Sequence, residues 1–544
     1  MSTPAAADNA AAGTTPRWGM VIDVNRCVGC QTCTIACKHA NDTPPEVQWR
    51  KVIDVEQGTF PDVERFFLVT GCQHCAEPPC VPVCPTGATR QREDGLVTMA
   101  YDECIGCGYC AVSCPYQART IVHQERGYFG ALTRQEKATA HPDRIGVAQK
   151  CTFCKERIDD GLARGLTPGV DPEATPACSS SCVSQAIHFG DFRNPASSVA
   201  RLIATQPSVQ LNAEAGTDPQ IRYLYTTPAV PAREAPDAAA ALDNDDPADP
   251  TVGKLQTLWD WRAAMNWIFG GVGSGLAAVA GFAAWSGTIP AASLPAIHAF
   301  AAGLMAVGLF CVFLKIGRQL RFWRAALRPQ TSWMSRELYA ALVFFPAVLA
   351  SLVAPGPLPS TLATLGALAF LGCQAMILWR ARGIPAWRAP RIPMLIIASG
   401  LAEGWAALAL LAVAGGAAPP RGMLADGLLL VAATAFLWRR YVGIDLAGVP
   451  ARARRVLREA TPPLVVIGHL GPIGLLGLAF LVPSIAGLCL LVASAGVIVG
   501  GALWKFRVIV HAGYFQGFHL PKVPQRGSGT RAAPVRLDPA AIAR

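Results

Sequence analysis

Sixteen of the nineteen cysteines in this chain fall between Cys27 and Cys182, and their spacing restricts the fold more than any other feature. They form four groups. The first is Cys27, Cys30, Cys33 and Cys37, with spacers of two, two and three residues; Cys104, Cys107, Cys110 and Cys114 repeat it, followed by Pro115. Cys72, Cys75, Cys80 and Cys84 follow the same pattern with two extra residues before the third cysteine, and Cys151, Cys154, Cys178 and Cys182 open that spacer to 23. The run C-x2-C-x2-C-x3-C is the bacterial ferredoxin spacing. Three close thiolates wrap three corners of a [4Fe–4S] cube, and the fourth, carried away by a short helix, serves a neighbouring cluster. Groups therefore come in pairs, and sixteen thiols for four clusters leave none over. A single tetrahedral zinc ion would use isolated C-x2-C pairs rather than tight triplets. Cys311, Cys373 and Cys489 lie in apolar segments and are expected to be packing residues.

The composition changes after Trp259. Eight apolar segments follow, at 264–285, 294–314, 338–354, 358–379, 393–415, 422–438, 462–482 and 484–504. Most reach the ~20 residues that cross a ~30 Å hydrocarbon core. Charged residues are only 15% of the 544, against about 25% in soluble domains. A purely soluble or disordered chain is thereby excluded. Lys315, Arg318, Arg321, Arg324, Arg328 and Arg336 follow the second segment. Arg380, Arg382, Arg388 and Arg391 follow the fourth, and Arg439, Arg440, Arg452, Arg454, Arg455 and Arg458 the sixth. The alternate gaps hold only Arg421, and sixteen against one puts the first set in the cytoplasm. An even number of spans then places both termini and the cysteine domain on that side, in a bacterial-type inner membrane. The net charge of +10 is accounted for by this topology, so no nucleic-acid partner is expected. The N-terminus shows neither an apolar h-region nor a twin arginine, which agrees with a reducing compartment where thiols ligate metal.

The predicted organisation is a disordered N-terminus over 1–16, a cysteine domain over 17–210, and an Ala/Pro/Asp-rich linker or partner-contact tail over 211–258. A membrane domain over 259–515 and a cytoplasmic tail over 516–544 complete it. The predicted fold class is an α+β bis-ferredoxin-like domain followed by an all-α eight-helix transmembrane bundle.

The order of the four groups resembles the electron-transfer subunit of the dimethyl-sulfoxide-reductase family of molybdenum enzymes. The resemblance is carried by Cys72-Gln73-His74-Cys75, by Pro79-Cys80-Val81-Pro82-Val83-Cys84-Pro85-Thr86-Gly87-Ala88 and by Cys114-Pro115-Tyr116. It implies that the first group pairs with the fourth and the second with the third. The implied ligand sets are Cys27, Cys30, Cys33 and Cys182; Cys37, Cys151, Cys154 and Cys178; Cys72, Cys75, Cys80 and Cys114; and Cys84, Cys104, Cys107 and Cys110. Some relatives replace the second cysteine of the third group and hold a three-iron cluster; Cys107 here implies four irons. Val183, where the pattern has proline, is a departure. Residues 260–515 resemble the quinone-reactive anchor subunit of the same enzymes, so the chain resembles a natural fusion of two subunits.

Ionisable side chains inside a membrane are costly and are functional candidates. Glu337 opens the third span, Glu403 lies deep in the fifth and His469 lies two turns into the seventh; these are the expected quinone and proton-handling residues. Arg336, Arg324 and His298 are their candidate surroundings, and Asp426 lies with His298 near the opposite face. The alternative for Glu337 is an ion pair with nearby arginines at the interface. Haem ligation often takes a histidine pair, and His298 and His469 sit at opposite depths with only His511 as a further partner, so no haem is expected. The expected cofactors are four [4Fe–4S] clusters and a quinone (ubiquinone or menaquinone). No oxygen-atom-transfer motif is present, so molybdopterin is expected on a partner subunit. The resemblance together with the cytoplasmic orientation favours a sulfite dehydrogenase; the runner-up is a quinol-oxidising sulfoxide or polysulfide reductase. The rival from another class is a redox-driven ion transporter built on Glu403 and His469.

Overall fold

The computed structural model describes residues 15–59, 62–139, 141, 143–224, 243–246, 249–416 and 420–520. The cysteine domain is α+β, with small sheets set among loops that carry the thiols. Its strands are β1 (Trp18–Asp23), β2 (Arg50–Thr59), β3 (Asp62–Gly71), β4 (Thr89–Gln91), β5 (Val97–Met99), β6 (Thr120–Ile121), β7 (Ala148–Gln149), β8 (Ile187–Asp191), β9 (Ser208–Val209) and β10 (Ile221–Leu224). One sheet has the order β8-β1-β10-β9; the rest are two-stranded ladders. β1 is buried along its whole length, since it pairs antiparallel with β8 and parallel with β10. Short helices follow the thiol groups: α1 (Thr32–Ala40), α2 (Tyr109–Val112), α3 (Arg134–Thr139), α4 (Lys155–Ala163), α5 (Ala177–Ser180) and α6 (Ser198–Thr205). Cys37 sits on α1 and Cys110 on α2, while Cys154 caps α4.

Two expected boundaries move. Ile221–Leu224, inside the stretch read as linker, is the sheet's inner strand β10, where it buries Ile221, Tyr223 and Leu224. A polar, Ala/Pro/Asp-rich neighbourhood concealed this four-residue apolar run. The 211–258 stretch also packs against residues read as a free C-terminal tail. Asn212 Nδ2 donates to the Gly517 carbonyl at 2.8 Å, and Phe518 N–H to the Thr251 carbonyl at 2.8 Å. Residues 1–14 and 521–544, read as disordered end and tail, lie outside the described residues.

Among the described residues, eight helices long and apolar enough to cross a membrane follow. They are built from α7 (Trp261–Trp285), α8 (Leu294–Lys315), α9 (Trp333–Val353), α10 (Pro357–Arg380), α11 (Ile392–Ala414) and α12 (Arg421–Gly443), then α13 (Ala451–Leu464) with α14 (Gly471–Leu481), and α15 (Ala486–Phe506). Arg452 to Arg458, read as loop, form the amphipathic start of the seventh, whose apolar side buries Ala453 and Leu457. Pro462, Pro463 and Pro472 remove backbone donors there, and the chain responds with a π-helical stretch over Val465–Leu470 that carries His469. α7 and α11 cross with backbones in contact: a Cβ on Gly275 would lie 1.8 Å from the Gly400 carbonyl oxygen. Only glycine permits that approach.

The two halves share one apolar core. Val83, Tyr109 and Val112 of the cysteine domain run into Trp259, Trp267 and Trp387 and then into the bundle. Each fully buried aromatic contributes about 2 kcal/mol before ordering costs.

Candidate functional site

The site is built from thiols whose neighbours come from distant groups. Cys37 is surrounded by Cys151, Cys178 and Cys154, and Asn41 Nδ2 stands 3.7 Å from both the Cys37 and the Cys154 sulfurs. Cys33 faces Cys27 and Cys182, with Cys178, also of the fourth group, beside it. Cys75 faces Cys72, Cys80 and Cys114; Cys110 faces Cys84, Cys104 and Cys107. The structure therefore brings first-group thiols to fourth-group thiols and second to third. Cys72 also approaches Cys151, which joins the two halves of the array. Most of these sulfurs are buried; Cys107 and Cys182 are half-buried and Cys30 is exposed.

Backbone amides aim at the sulfurs. Thr89 donates to Cys84 at 3.4 Å, Gly106 to Cys104 at 3.4 Å, Phe153 to Cys151 at 3.4 Å and Ala186 to Cys182 at 3.2 Å. The last bond shows that the turn after Cys182 forms with Val183 in place of proline. Burial is the main force on the thiols, pushing Cys33 up to about 11 and Cys114 and Cys151 up to about 12. Neighbouring thiols add to this, while Arg50 pulls Cys33 and Cys151 back. Thiols held protonated this way become good ligands only when a metal centre takes the proton's place. No three His, Cys, Asp or Glu side chains among the described residues converge on one ion-sized site. Thiolates on the corners of a cube stand further apart than ligands of one ion, so the spread fits a cluster and does not fit zinc.

Buried cations lie among the thiols, and as single basic residues they leave no pattern in the sequence. Arg50 is 0% exposed, and although burial works against its charge, Cys178, Cys151, Cys37 and Cys33 outweigh it and hold it up. Arg119 donates to the Cys80 sulfur at 3.1 Å. Lys150 donates to the carbonyls of Cys151, at 2.6 Å, and Val97; burial lowers its affinity for the proton. His74 accepts from Val97 N–H through Nδ1, so its Nε2–H faces the Cys151 carbonyl at 3.1 Å, and burial keeps it neutral.

The fourth thiol set lies directly on the bundle. The Cys107 carbonyl accepts from Trp259 Nε1 at 3.1 Å and from Lys315 Nζ at 2.9 Å. Tyr109 OH donates to the Ile377 carbonyl at 2.8 Å, and Ser332 Oγ to the Val83 carbonyl at 2.9 Å. Trp259 stacks on Trp387 at 5.5 Å and touches Trp267 and Tyr109. Arg321 and Arg324 donate to carbonyls of Tyr101 and Asp102. The cysteine domain therefore docks on the arginine-rich end of the bundle.

Five residues after Ser332, on α9, lies Glu337, 6% exposed. Its Oε1 accepts from Asn266 Nδ2 at 3.2 Å, and Gln374 Nε2 donates to the Asn266 carbonyl at 2.7 Å. Asn266 Oδ1 and Gln374 Oε1 are buried without a partner. Among the described residues no arginine pairs with Glu337: Arg336 turns to the carbonyls of Pro329 and Gln330 and stacks on Trp333. The other candidates separate from it. Glu403 pairs with Lys505 at 2.7 Å, both 1% exposed. Glu403 shares a narrow crevice with Ser399, Thr434 and His469. His298 is fully buried on α8, 17 residues or ~25 Å of helix from Lys315, so it does not join Glu337. Cys373 and Cys489 are buried and Cys311 is half-buried.

Residues 63–129 match the 4Fe-4S dicluster domain family. A selenate reductase subunit of Mesobacillus selenatarsenatis is 40% identical over 223 residues, 38% of this chain and 72% of the relative. The arsenate respiratory reductase iron-sulfur subunit of Shewanella sp. is 37% identical over 236 residues, 38% and 96% of the two chains. This chain belongs to the family of iron–sulfur subunits of oxidoreductase complexes. A sulfite dehydrogenase subunit of Allochromatium vinosum is 36% identical over 221 residues, 38% of this chain and 81% of the relative. In this iron–sulfur subunit the matched length leaves more than half the chain over, and the eight apolar helices lie C-terminal to the thiol array.

Proposed function

We propose that this chain is the electron-transfer and membrane-anchor subunit of a molybdenum oxidoreductase complex, a natural fusion joining a molybdopterin-bearing partner to membrane quinone. Four [4Fe–4S] clusters supply the electron path. Their ligands are Cys27, Cys30, Cys33 and Cys182; Cys37, Cys151, Cys154 and Cys178; Cys72, Cys75, Cys80 and Cys114; and Cys84, Cys104, Cys107 and Cys110. The observation that carries the reading is the continuity from thiol set to membrane: the loop bearing Cys107 is clamped by Trp259 and Lys315, and Asn266, seven residues after Trp259, donates to Glu337.

Glu337, Asn266 and Gln374 form the quinone site in this reading. Two buried amide oxygens without partners fit the hydroxyls of a hydroquinone, and the carboxyl can take or give the proton. The Glu403–Lys505 pair and His469, in the adjoining crevice, hold protons deeper in the bundle. The sixteen-to-one distribution of lysine and arginine supports a cytoplasmic iron–sulfur domain. Sulfite oxidation is favoured for the partner, because orientation agrees with it and a sulfite dehydrogenase subunit is among the relatives. The names of the selenate and arsenate reductase relatives favour the second reading, electron flow from quinol to a terminal acceptor.

Affinity capture of the full chain from its native membrane, with mass spectrometry of what co-purifies, tests the partner. Quinone reduction by the captured complex is then assayed with sulfite, and reduction of selenate, arsenate and sulfoxide with quinol as donor. Absence of a molybdopterin subunit from the complex refutes the proposal.

A further inference from the structure

Among the described residues four cations are buried in or against the thiol array, one at each of the three junctions between successive sets and one at its membrane end. Arg50 faces Cys33 of the first set and Cys37, Cys151 and Cys178 of the second. Lys150 faces Cys151 of the second and Cys72 and Cys80 of the third. Arg119 faces Cys72, Cys80 and Cys114 of the third and Cys110 of the fourth, bonded to the Cys80 sulfur at 3.1 Å. Lys315 closes the series, bonded to the Cys107 carbonyl on the membrane side of the fourth at 2.9 Å. Their exposures are 0%, 0%, 6% and 8%. Among the described residues none of the four makes an ion pair with a carboxylate. Asp260, which is near Lys315, is bonded to Arg262.

A buried, unpaired cation is expensive, and removing it from water is not offset by carbonyl and sulfur contacts alone. Anionic clusters held by these thiolates would provide the missing partner. Cluster potentials respond to net charge and to hydrogen bonds at sulfur. A cation between two clusters stabilises the reduced, more negative form of both; one at the end of the array acts on a single cluster.

We infer that Arg50, Lys150, Arg119 and Lys315 are positioning residues that raise the reduction potentials of the clusters they face, three of them acting on two clusters each and Lys315 on the membrane-proximal one alone. This rests on the four-cluster reading. None of the four is ion-paired to a carboxylate among the described residues, so their combined effect is to keep the whole wire within reach of quinone.

The test is an EPR-monitored redox titration of the full chain in its membrane complex, with iron and sulfide measured on each sample. Wild type is expected to hold sixteen irons and show four reduction steps; a lower iron count overturns the four-cluster reading before any variant is considered. Arg119→Gln is expected to move two steps to lower potential, and Arg119→Lys to restore them, because lysine keeps the charge while changing the hydrogen bonds. Lys315→Gln is expected to move one step only. Unmoved steps at full iron content, or an Arg119→Lys shift as large as that of Arg119→Gln, overturn the inference. Loss of iron in Arg119→Gln but not in Arg119→Lys leaves the potentials of Lys315→Gln to decide, and so does loss in both: one lowered step supports the inference and none refutes it.

Discussion

Replacing Glu337 with glutamine separates proton handling from packing. The side chain is 6% exposed and accepts from Asn266 Nδ2 at 3.2 Å. Glutamine keeps the volume and, through its Oε1, the bond from Asn266, so little stability is lost. Alanine would leave the buried Asn266 donor unpaired at about 1–3 kcal/mol, and would add a cavity, so it cannot isolate the proton's role. A positioned acid or base contributes about 10²–10⁴-fold. Glu337→Gln is therefore expected to lower quinone-linked turnover about 100-fold or more, with partner and iron content intact. Electron exchange between substrate and an artificial dye, which takes electrons from the clusters, should stay within about twofold. Glu337→Asp shortens the side chain but keeps the proton and should fall between. Steady-state quinone reduction in membranes, run beside the dye assay on the same preparation, makes the comparison. Wild-type quinone turnover and inhibitor binding in Glu337→Gln would refute the reasoning and leave Glu337 a structural hydrogen-bond acceptor; His469, in the neighbouring crevice, would then be the next candidate.

Cys107→Ser should convert or destroy one cluster's EPR signal and leave three, and zinc or about half the expected iron in wild type would contradict the ligand sets. Breaking the fully buried pair by Lys505→Met should cost about 3–5 kcal/mol by stranding Glu403, whereas Lys505→Met with Glu403→Leu should recover most of that; thermal unfolding in detergent compares them, and a double variant no better than the single one contradicts the account. Gly275→Val should separate α7 from α11, because a Cβ there would lie 1.8 Å from the Gly400 carbonyl oxygen; overpacking costs about 1–3 kcal/mol or more, and an unchanged melting temperature would oppose the close crossing. A reporter fused at Arg544 should be active only in its cytoplasmic form; activity only on the outer side would overturn both the orientation and the preference for sulfite.

The sequence alone determined the elements whose physics is local. Ligand spacing is a property of adjacent residues, so the thiol groups of Cys27, Cys72, Cys104 and Cys151 were legible without coordinates. Eight apolar stretches likewise announce eight helices, because a lipid-spanning helix must satisfy its backbone internally whatever its neighbours do. β10 was missed for the opposite reason: Ile221–Leu224 is too short to show a period, and it becomes a strand only through pairing with Trp18–Asp23. The arginines of 452–458 read as loop because charge dominates them, although every third or fourth position packs inward. Only tertiary structure decided which ionisable groups meet. Glu337 turned from Arg336, its neighbour in sequence, to Asn266, 71 residues away, and Glu403 found Lys505, 102 residues away. Arg50, Lys150 and Arg119 carry no signal in sequence, since a single basic residue has no spacing to read. Their role rests on burial and on which thiols surround them, and both arise only when distant segments pack together.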